Sequence, residues 1–133
     1  MKRIVRLLIV ALILCFFAGC SNAEKDQAMK EYEEERVRAE KQKELLDEEI
    51  EEAERLLTEN KPAADDTIDE KLRKKIEIAK ALHVEVQKVS GDVDEIKAET
   101  ARLRALGLDK MISEIRALNK KLIQSRRDYV DQN

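Results

Sequence analysis

Two cysteines and one histidine are the side chains of this sequence with the widest range of chemistry. Cys20 follows two small residues, Ala18 and Gly19, which leave the backbone before it open to a protease. A cysteine thiolate is nucleophilic, so the sulfur of Cys20 can accept a lipid. Cys15 follows two bulky aliphatic residues and lacks this setting. The pattern therefore predicts covalent modification at Cys20.

The segment before Cys20 has the composition of an export signal. Lys2, Arg3 and Arg6 make its start positive, and residues 7–20 carry no charge. A bilayer-spanning helix needs about 20 apolar residues, so this stretch is short for a permanent anchor. A basic start, a short apolar middle and small residues at the end are typical of a cleaved signal peptide over residues 1–19. An uncleaved signal that acts as a weak membrane anchor is the alternative.

The run Phe17-Ala18-Gly19-Cys20 resembles the lipobox of bacterial lipoproteins, although Phe17 stands where that family prefers Leu. The resemblance covers residues 1–20 only. It implies cleavage between Gly19 and Cys20 and a diacylglyceryl group on Cys20 as the anchor in membrane lipid, with no further cofactor. Two acyl chains suffice for stable anchoring. In Gram-negative members the next residue directs sorting, and Ser21 implies delivery to the outer membrane, facing the periplasm.

The remaining candidate catalytic residues lack the grouping that catalysis requires. His83 is the only histidine, and it reads as a boundary residue on a helix near Glu85. Carboxylates occur in runs, such as residues 47–49, that spread around a helix and do not converge. No glycine-rich phosphate loop, zinc-ligand spacing or serine-nucleophile motif is present. We expect the protein to be no enzyme and to bind no metal, and export excludes nucleic acid as a partner.

The composition predicts an all-α protein. Charged residues make up 41% of the chain and aromatic residues 3%, with one proline and three glycines. Such a chain favours long exposed helices over a rounded core, and we identify no run with the alternation of a strand. We predict a polar tether over residues 20–28 and an elongated antiparallel helical hairpin, or coiled coil, over residues 29–133.

The first predicted helix covers residues 29–60. Its apolar residues are spaced three and four apart, as in the seam of a helix that pairs with another helix. Arg36 and Lys43 fall on this seam and weaken its first half. The apolar seam residues are Met29, Tyr32, Ala39, Leu46, Ile50, Ala53 and Leu57.

The second predicted helix covers residues 67–106. It follows a break at Pro62, and Thr67 and Glu70 have the spacing of a capping box. Gly91 interrupts the pattern, yet the heptad phase continues from Val89 to Val93. We therefore expect one continuous helix, with a bend capped by the next residue, Asp92, as the alternative. Its later seam comprises Leu82, Val86, Val89, Val93, Ile96 and Leu103.

A third helix is predicted over residues 109–130. The step from Leu103 to Leu108 is one residue too long for the seam, and Gly107 can close the preceding helix. Asp109 is a candidate N-cap. A kink there would let the last helix fold partly back or lean away. Residues 24–61 carry a net charge of −7 and residues 71–133 one of +5, which suits pairing between the two parts.

These features predict a membrane-anchored structural or adaptor lipoprotein of the cell envelope that acts through helix–helix contacts, with a partner protein or by self-association. A regulatory binding module for an envelope enzyme or secretion complex is one alternative. A surface-displayed lipoprotein that contacts host or phage factors is another. Four residues of a basic stretch are candidate contacts for an anionic partner: Lys120, Lys121, Arg126 and Arg127. Nine seam residues are candidate partner contacts: Leu46, Ile50, Leu57, Leu82, Val86, Val93, Ile96, Leu118 and Leu122.

Overall fold

The computed structural model describes the backbone of residues 2–133 and the side chains of residues 23–133. It contains four helices: α1 (Lys2–Glu59), α2 (Ile68–Lys80), α3 (Val93–Arg104) and α4 (Leu108–Gln132). Within the described backbone there is no strand. The predicted all-α fold is therefore confirmed, with α2, α3 and α4 all packed against the long helix α1.

Helices α3 and α4 run parallel to α1. Lys97 of α3 lies 3.2 Å from the carboxylate of Glu24, and Arg116 of α4 lies 2.8 Å from that of Glu49. The numbers of the two partners rise together along both helices, so α3 and α4 form one continuous rod beside α1.

The chain between α1 and α3 runs antiparallel to α1. Lys80, at the end of α2, contacts Glu54 of α1, and Gly91 lies beside the ammonium of Lys25. The two contacted residues of α1, Glu54 and Lys25, are 29 residues apart, which is about 44 Å of helix, whereas Lys80 and Gly91 are only 11 residues apart in the chain. Eleven residues span at most about 40 Å when fully extended. The segment between α2 and α3 is therefore extended, with long side chains bridging the remainder.

The fold thus consists of three rods. The first rod is α1, the second is α2 followed by the extended segment, and the third is α3 followed by α4. Helix α2 packs against α4 more than against α1, whereas the extended segment contacts α3 and Tyr32 of α1. The predicted antiparallel pairing holds for the first two rods, and the third covers their seam.

The prediction of one continuous helix over residues 67–106 is wrong. Helix α2 ends at Lys80, and α3 begins after Asp92, whose carboxylate accepts a hydrogen bond from the Asp94 amide at 3.1 Å. The alternative of Asp92 as a new cap is therefore confirmed. Residues 82–87 (LHVEVQ) alternate apolar and polar, and their two valines favour extended backbone. Because Leu82, Val86 and Val89 also fit heptad spacing, the same residues were predicted to be helical.

Gly107 ends the preceding turn in the left-handed region, at φ 65°, and α4 begins at the next residue. The predicted break is confirmed, but the last helix does not fold back, because α3 and α4 both run parallel to α1. Asp109 is not the N-cap. Its carboxylate lies in the first turn of α4 and accepts a hydrogen bond from the Gln42 side chain at 2.5 Å.

Local contacts explain three further helix boundaries: the end of α1, the start of α2 and the region predicted as a tether. Helix α1 ends at Glu59, next to Asn60 at φ 49°, as predicted. The predicted capping box is wrong, because Thr67 makes no side-chain cap bond and instead donates to Asp65. The predicted tether is also wrong over residues 23–28, which continue α1 because Ala28 is buried in the core.

The core has two parts. Near the start of α1, Tyr32 and Ala39 pack with Ile96 and Leu103 of α3. Farther along, α1 packs with α2 and α4, where Leu72, Ile115 and Leu122 have no measurable exposure. Because all three rods contribute, the apolar seam of α1 is covered within one chain.

Candidate functional site

The predicted lipid attachment site lies outside the described side chains. This applies to the cleavage position at Gly19, to Cys20 and to the sorting residue Ser21. Within residues 23–133, no helix is both long and apolar enough to cross a membrane. The same part contains no group of three or more potential metal ligands.

The predicted partner contacts are largely used inside the molecule. Leu46, Ile50, Ile96 and Leu122 are buried in the core of this chain, so they are unavailable to a partner in this fold. The physical reason is the third rod, which closes the seam that a two-helix hairpin would leave open. The other predicted contacts are half-buried against the same core: Leu57, Leu82, Val86, Val93 and Leu118.

The predicted anionic contact is divided by the fold. Lys120, Lys121 and Arg127 are exposed, but Arg126 retains 7% exposure. The Arg126 guanidinium donates a hydrogen bond of 2.5 Å to the carbonyl of Leu56 and lies 3.4 Å from the carboxylate of Glu59. It therefore satisfies a carbonyl in the last turn of α1, where helices lack internal donors. Arg126 is a structural residue and not a free cation.

A surface groove of about 450 Å³ lies between α2 and α4. We call it the lysine groove. Its floor is apolar, since Ile78 is 52% exposed and Ala117 and Leu118 lie beside it. Its other lining residues are Lys71, Lys74, Lys75, Glu114 and Lys121. Of the predicted contacts, this groove brings together Leu118 and Lys121.

The charges of the lysine groove are only partly compensated. Lys75 donates a hydrogen bond of 2.5 Å to Glu114, and this bond holds the pKa of Glu114 below its ordinary value. Lys74 lies 3.3 Å from Glu70 outside the groove, with both side chains exposed. Lys71 and Lys121 form no ion pair with any described residue. The pKa of Asp65 is lowered by its hydrogen bonds from Thr67 and also by both of these ammonium groups, so Asp65 offsets part of their charge. Four lysines against one glutamate still leave the lining of the groove positive around its apolar floor.

A buried carboxylate and an arginine hold the extended segment, and the sequence analysis missed both. The guanidinium of Arg102 donates to the carbonyls of His83 and Glu85, at 3.0 and 2.6 Å. Glu99 accepts from Arg102 at 2.7 Å and from the Gln87 amide at 3.3 Å. These hydrogen bonds replace those that a neighbouring strand would provide. The bonds from Arg102 are the main reason that the pKa of Glu99 is lowered, and burial opposes them.

His83 itself has an exposed side chain, and only its carbonyl takes part in this contact. It lies at a second groove, between α1 and the second rod, near Lys43, Asp47 and Glu85. The prediction of a boundary residue on a helix is therefore wrong, because His83 is exposed and lies in the extended segment after α2.

Comparison with known proteins gives no family for this chain: no protein-family model matches it, and no curated protein or solved structure is significantly similar.

Proposed function

We propose that this protein is a lipid-anchored helical lipoprotein of the bacterial envelope that serves as an adaptor between membrane and partner protein. The observation that carries the proposal is the placement of Cys20. It stands after Ala18 and Gly19, at the end of an uncharged stretch with a basic start. A diacylglyceryl cysteine would hold the helical domain at the membrane through two acyl chains.

The arrangement of α1 supports an anchored role. Beyond residue 22, α1 continues without a break to Glu59, a distance of about 55 Å. A group fixed near its start would therefore hold the opposite end of the bundle well away from the membrane. The second and third rods brace this helix along most of its length through the two parts of the core.

The buried seam favours an adaptor over a coiled-coil assembly. Self-association through the seam would require residues such as Leu46 and Leu122, which are already in the core. The apolar surface that remains outside the core includes the floor of the lysine groove. The function therefore depends on a partner that recognises the outside of the bundle.

Metabolic labelling with an alkyne analogue of palmitate tests the anchor. In a bacterial host, the parent chain should incorporate the label, partition with membranes and lose residues 1–19. A Cys20→Ser variant should remain unlabelled and keep the mass of the precursor, because no sulfur can accept the lipid. Cys15→Ser is the matched control and should behave as the parent. Equal labelling of parent and Cys20→Ser would disprove the anchor.

A further inference from the structure

We propose that the lysine groove is the docking site for an acidic amphipathic helix of the partner protein. This inference rests on the adaptor role and deepens it, because it states the chemistry of the partner. Three features of the groove support it: the spacing of the lining residues, their charge and the level of the groove along α1.

The two walls of the lysine groove carry matching helical stripes. Lining residues of α2 occur at positions 71, 74, 75 and 78, and those of α4 at positions 114, 117, 118 and 121. This spacing places each set on one face of its helix over two turns. Two helices with facing stripes form a trough into which a third helix can insert side chains at the same spacing. The geometry therefore fits a helical ligand.

The lining defines the side chains of that ligand. Apolar residues on the ligand would cover the exposed Ile78 together with the half-buried Leu118. Acidic residues beside that stripe would face the ammonium groups of Lys71 and Lys121. Four lysines and one glutamate line the groove, so a basic or neutral helix would leave positive charge unmatched. An acidic amphipathic helix satisfies both requirements.

The fold already contains one such pairing. Helix α1 is acidic, with a net charge of −7 over residues 24–61, and its apolar face packs against α2 and α4. Arg116 of α4 meets Glu49 of α1 beside that apolar contact. The α2–α4 pair thus holds an acidic amphipathic helix on its inner side, and the lysine groove offers the same combination on the outer side.

The position of the lysine groove favours a protein over lipid headgroups. The contact between Arg116 and Glu49 places the groove near the level of residues 47–54 of α1. About 30 helical residues separate that level from Cys20, which corresponds to about 45 Å. A bundle standing upright on its anchor would therefore hold the groove beyond the headgroup layer. A second copy of the chain and an anionic bilayer are the competing occupants in the test.

Fluorescence anisotropy with a designed peptide tests the proposal on the full chain in non-ionic detergent. The probe is a labelled three-heptad helix with leucines along one stripe and glutamates on both sides of it. The matched control peptide has lysine in place of every glutamate. We expect the acidic peptide to bind at least about tenfold more tightly than the basic one, because only it matches the lysine rim.

Variants locate the binding site. Lys71→Glu/Lys121→Glu should weaken binding of the acidic peptide at least about tenfold, and Ile78→Asp should do the same. Neither change removes a partner of the bond between Lys75 and Glu114. Lys120→Glu makes half of that charge change, on the exposed residue next to Lys121 and outside the groove, and should alter affinity less than about twofold. Circular dichroism melts confirm that each variant is folded.

Several results would overturn the proposal. Equal binding of both peptides, or an equal effect of Lys120→Glu and the double variant, would exclude recognition of acidic helices at this groove. A dimer by light scattering that the double variant dissociates would identify a second copy as the occupant. Capture by phosphatidylglycerol vesicles of a Cys20→Ser chain, lost in the double variant and without peptide binding, would identify lipid. Palmitate labelling of Cys20 is independent of all these outcomes, so failure here would leave the anchor standing.

Discussion

Arg126 is a charged residue of a type usually found at the surface, yet its position on α4 buries it against the end of α1. The sequence placed it in a basic stretch, and we predicted that it would contact an anion. In the fold it lies on a buried stripe of α4 together with Ile115, Asn119 and Leu122. The spacing of these four residues is four, three and four, which was a signal that Asn119 and Arg126 face α1. What the sequence could not provide is the end of α1 beside Arg126, because that contact joins residues about 70 positions apart.

Replacement of Arg126 by Ala should destabilise the fold. The change removes the donor to the Leu56 carbonyl and leaves that acceptor buried, so we expect the free energy of unfolding to fall by about 2–3 kcal/mol. Arg127→Ala removes the same side chain from an exposed neighbour and should change stability by less than about 0.5 kcal/mol. Urea titration followed by circular dichroism measures both. Equal effects of the two variants would mean that the contact with α1 contributes no stability.

At the scale of elements, the chain breaks near Asn60 and at Gly107 were predictable, and the extended segment between α2 and α3 was not. Asn60 and Gly107 mark chain breaks with residue types that tolerate positive φ. Residues 82–89, in contrast, satisfy two patterns, because Leu82, Val86 and Val89 have heptad spacing while Val84 completes an alternation with period two. Whether this segment is helical or extended depends on the distance along α1 that it must cover. The non-helical run over residues 82–90 lets the second rod match the length of α1, and this requirement becomes visible only when all three rods are known.

Glu99→Gln tests how the extended segment is held. Because the pKa of Glu99 is lowered in the folded state, ionised Glu99 stabilises the fold at pH values above its unfolded pKa, and this contribution is lost as the pH falls through the folded pKa. We expect the variant to be less stable than the parent by about 1–2 kcal/mol at pH 7, and the difference to disappear in strong acid. Thermal melts across this pH range measure it, with the exposed Glu77→Gln as control. A difference that is independent of pH would exclude the ionised contact.

Hydrogen exchange gives the same test at the level of the backbone. The Gln87 amide donates to Glu99, so Glu99→Gln should weaken its protection at neutral pH, whereas amides within α4 should keep theirs. Uniform loss of protection would indicate global unfolding instead of release of this segment.

At the scale of the whole molecule, composition predicted the fold class and charge predicted attraction between its halves. In the fold this attraction involves both later rods, since Lys80 of the second rod meets Glu54 of α1, and Arg104 and Arg116 of the third rod meet Glu35 and Glu49. These pairs involve partly exposed side chains and each contributes about 0–1 kcal/mol. Buried apolar area from all three rods therefore supplies most of the stability, while the charges favour one register.

Chemical crosslinking distinguishes the three-rod fold from the hairpin that the sequence suggested. Gln42 and Asp109 are in contact, so a Gln42→Cys/Asp109→Cys variant should be joined efficiently by a short bismaleimide. If residues 67–106 formed one helix antiparallel to α1, its end would lie near residue 20, and position 109 would be about 30 Å from position 42. Gln42→Cys/Arg127→Cys is the control, since 18 further residues of α4 separate its cysteines by about 27 Å. Peptide mapping by mass spectrometry should therefore find the first crosslink and not the second, and the reverse result would rule out a third rod parallel to α1.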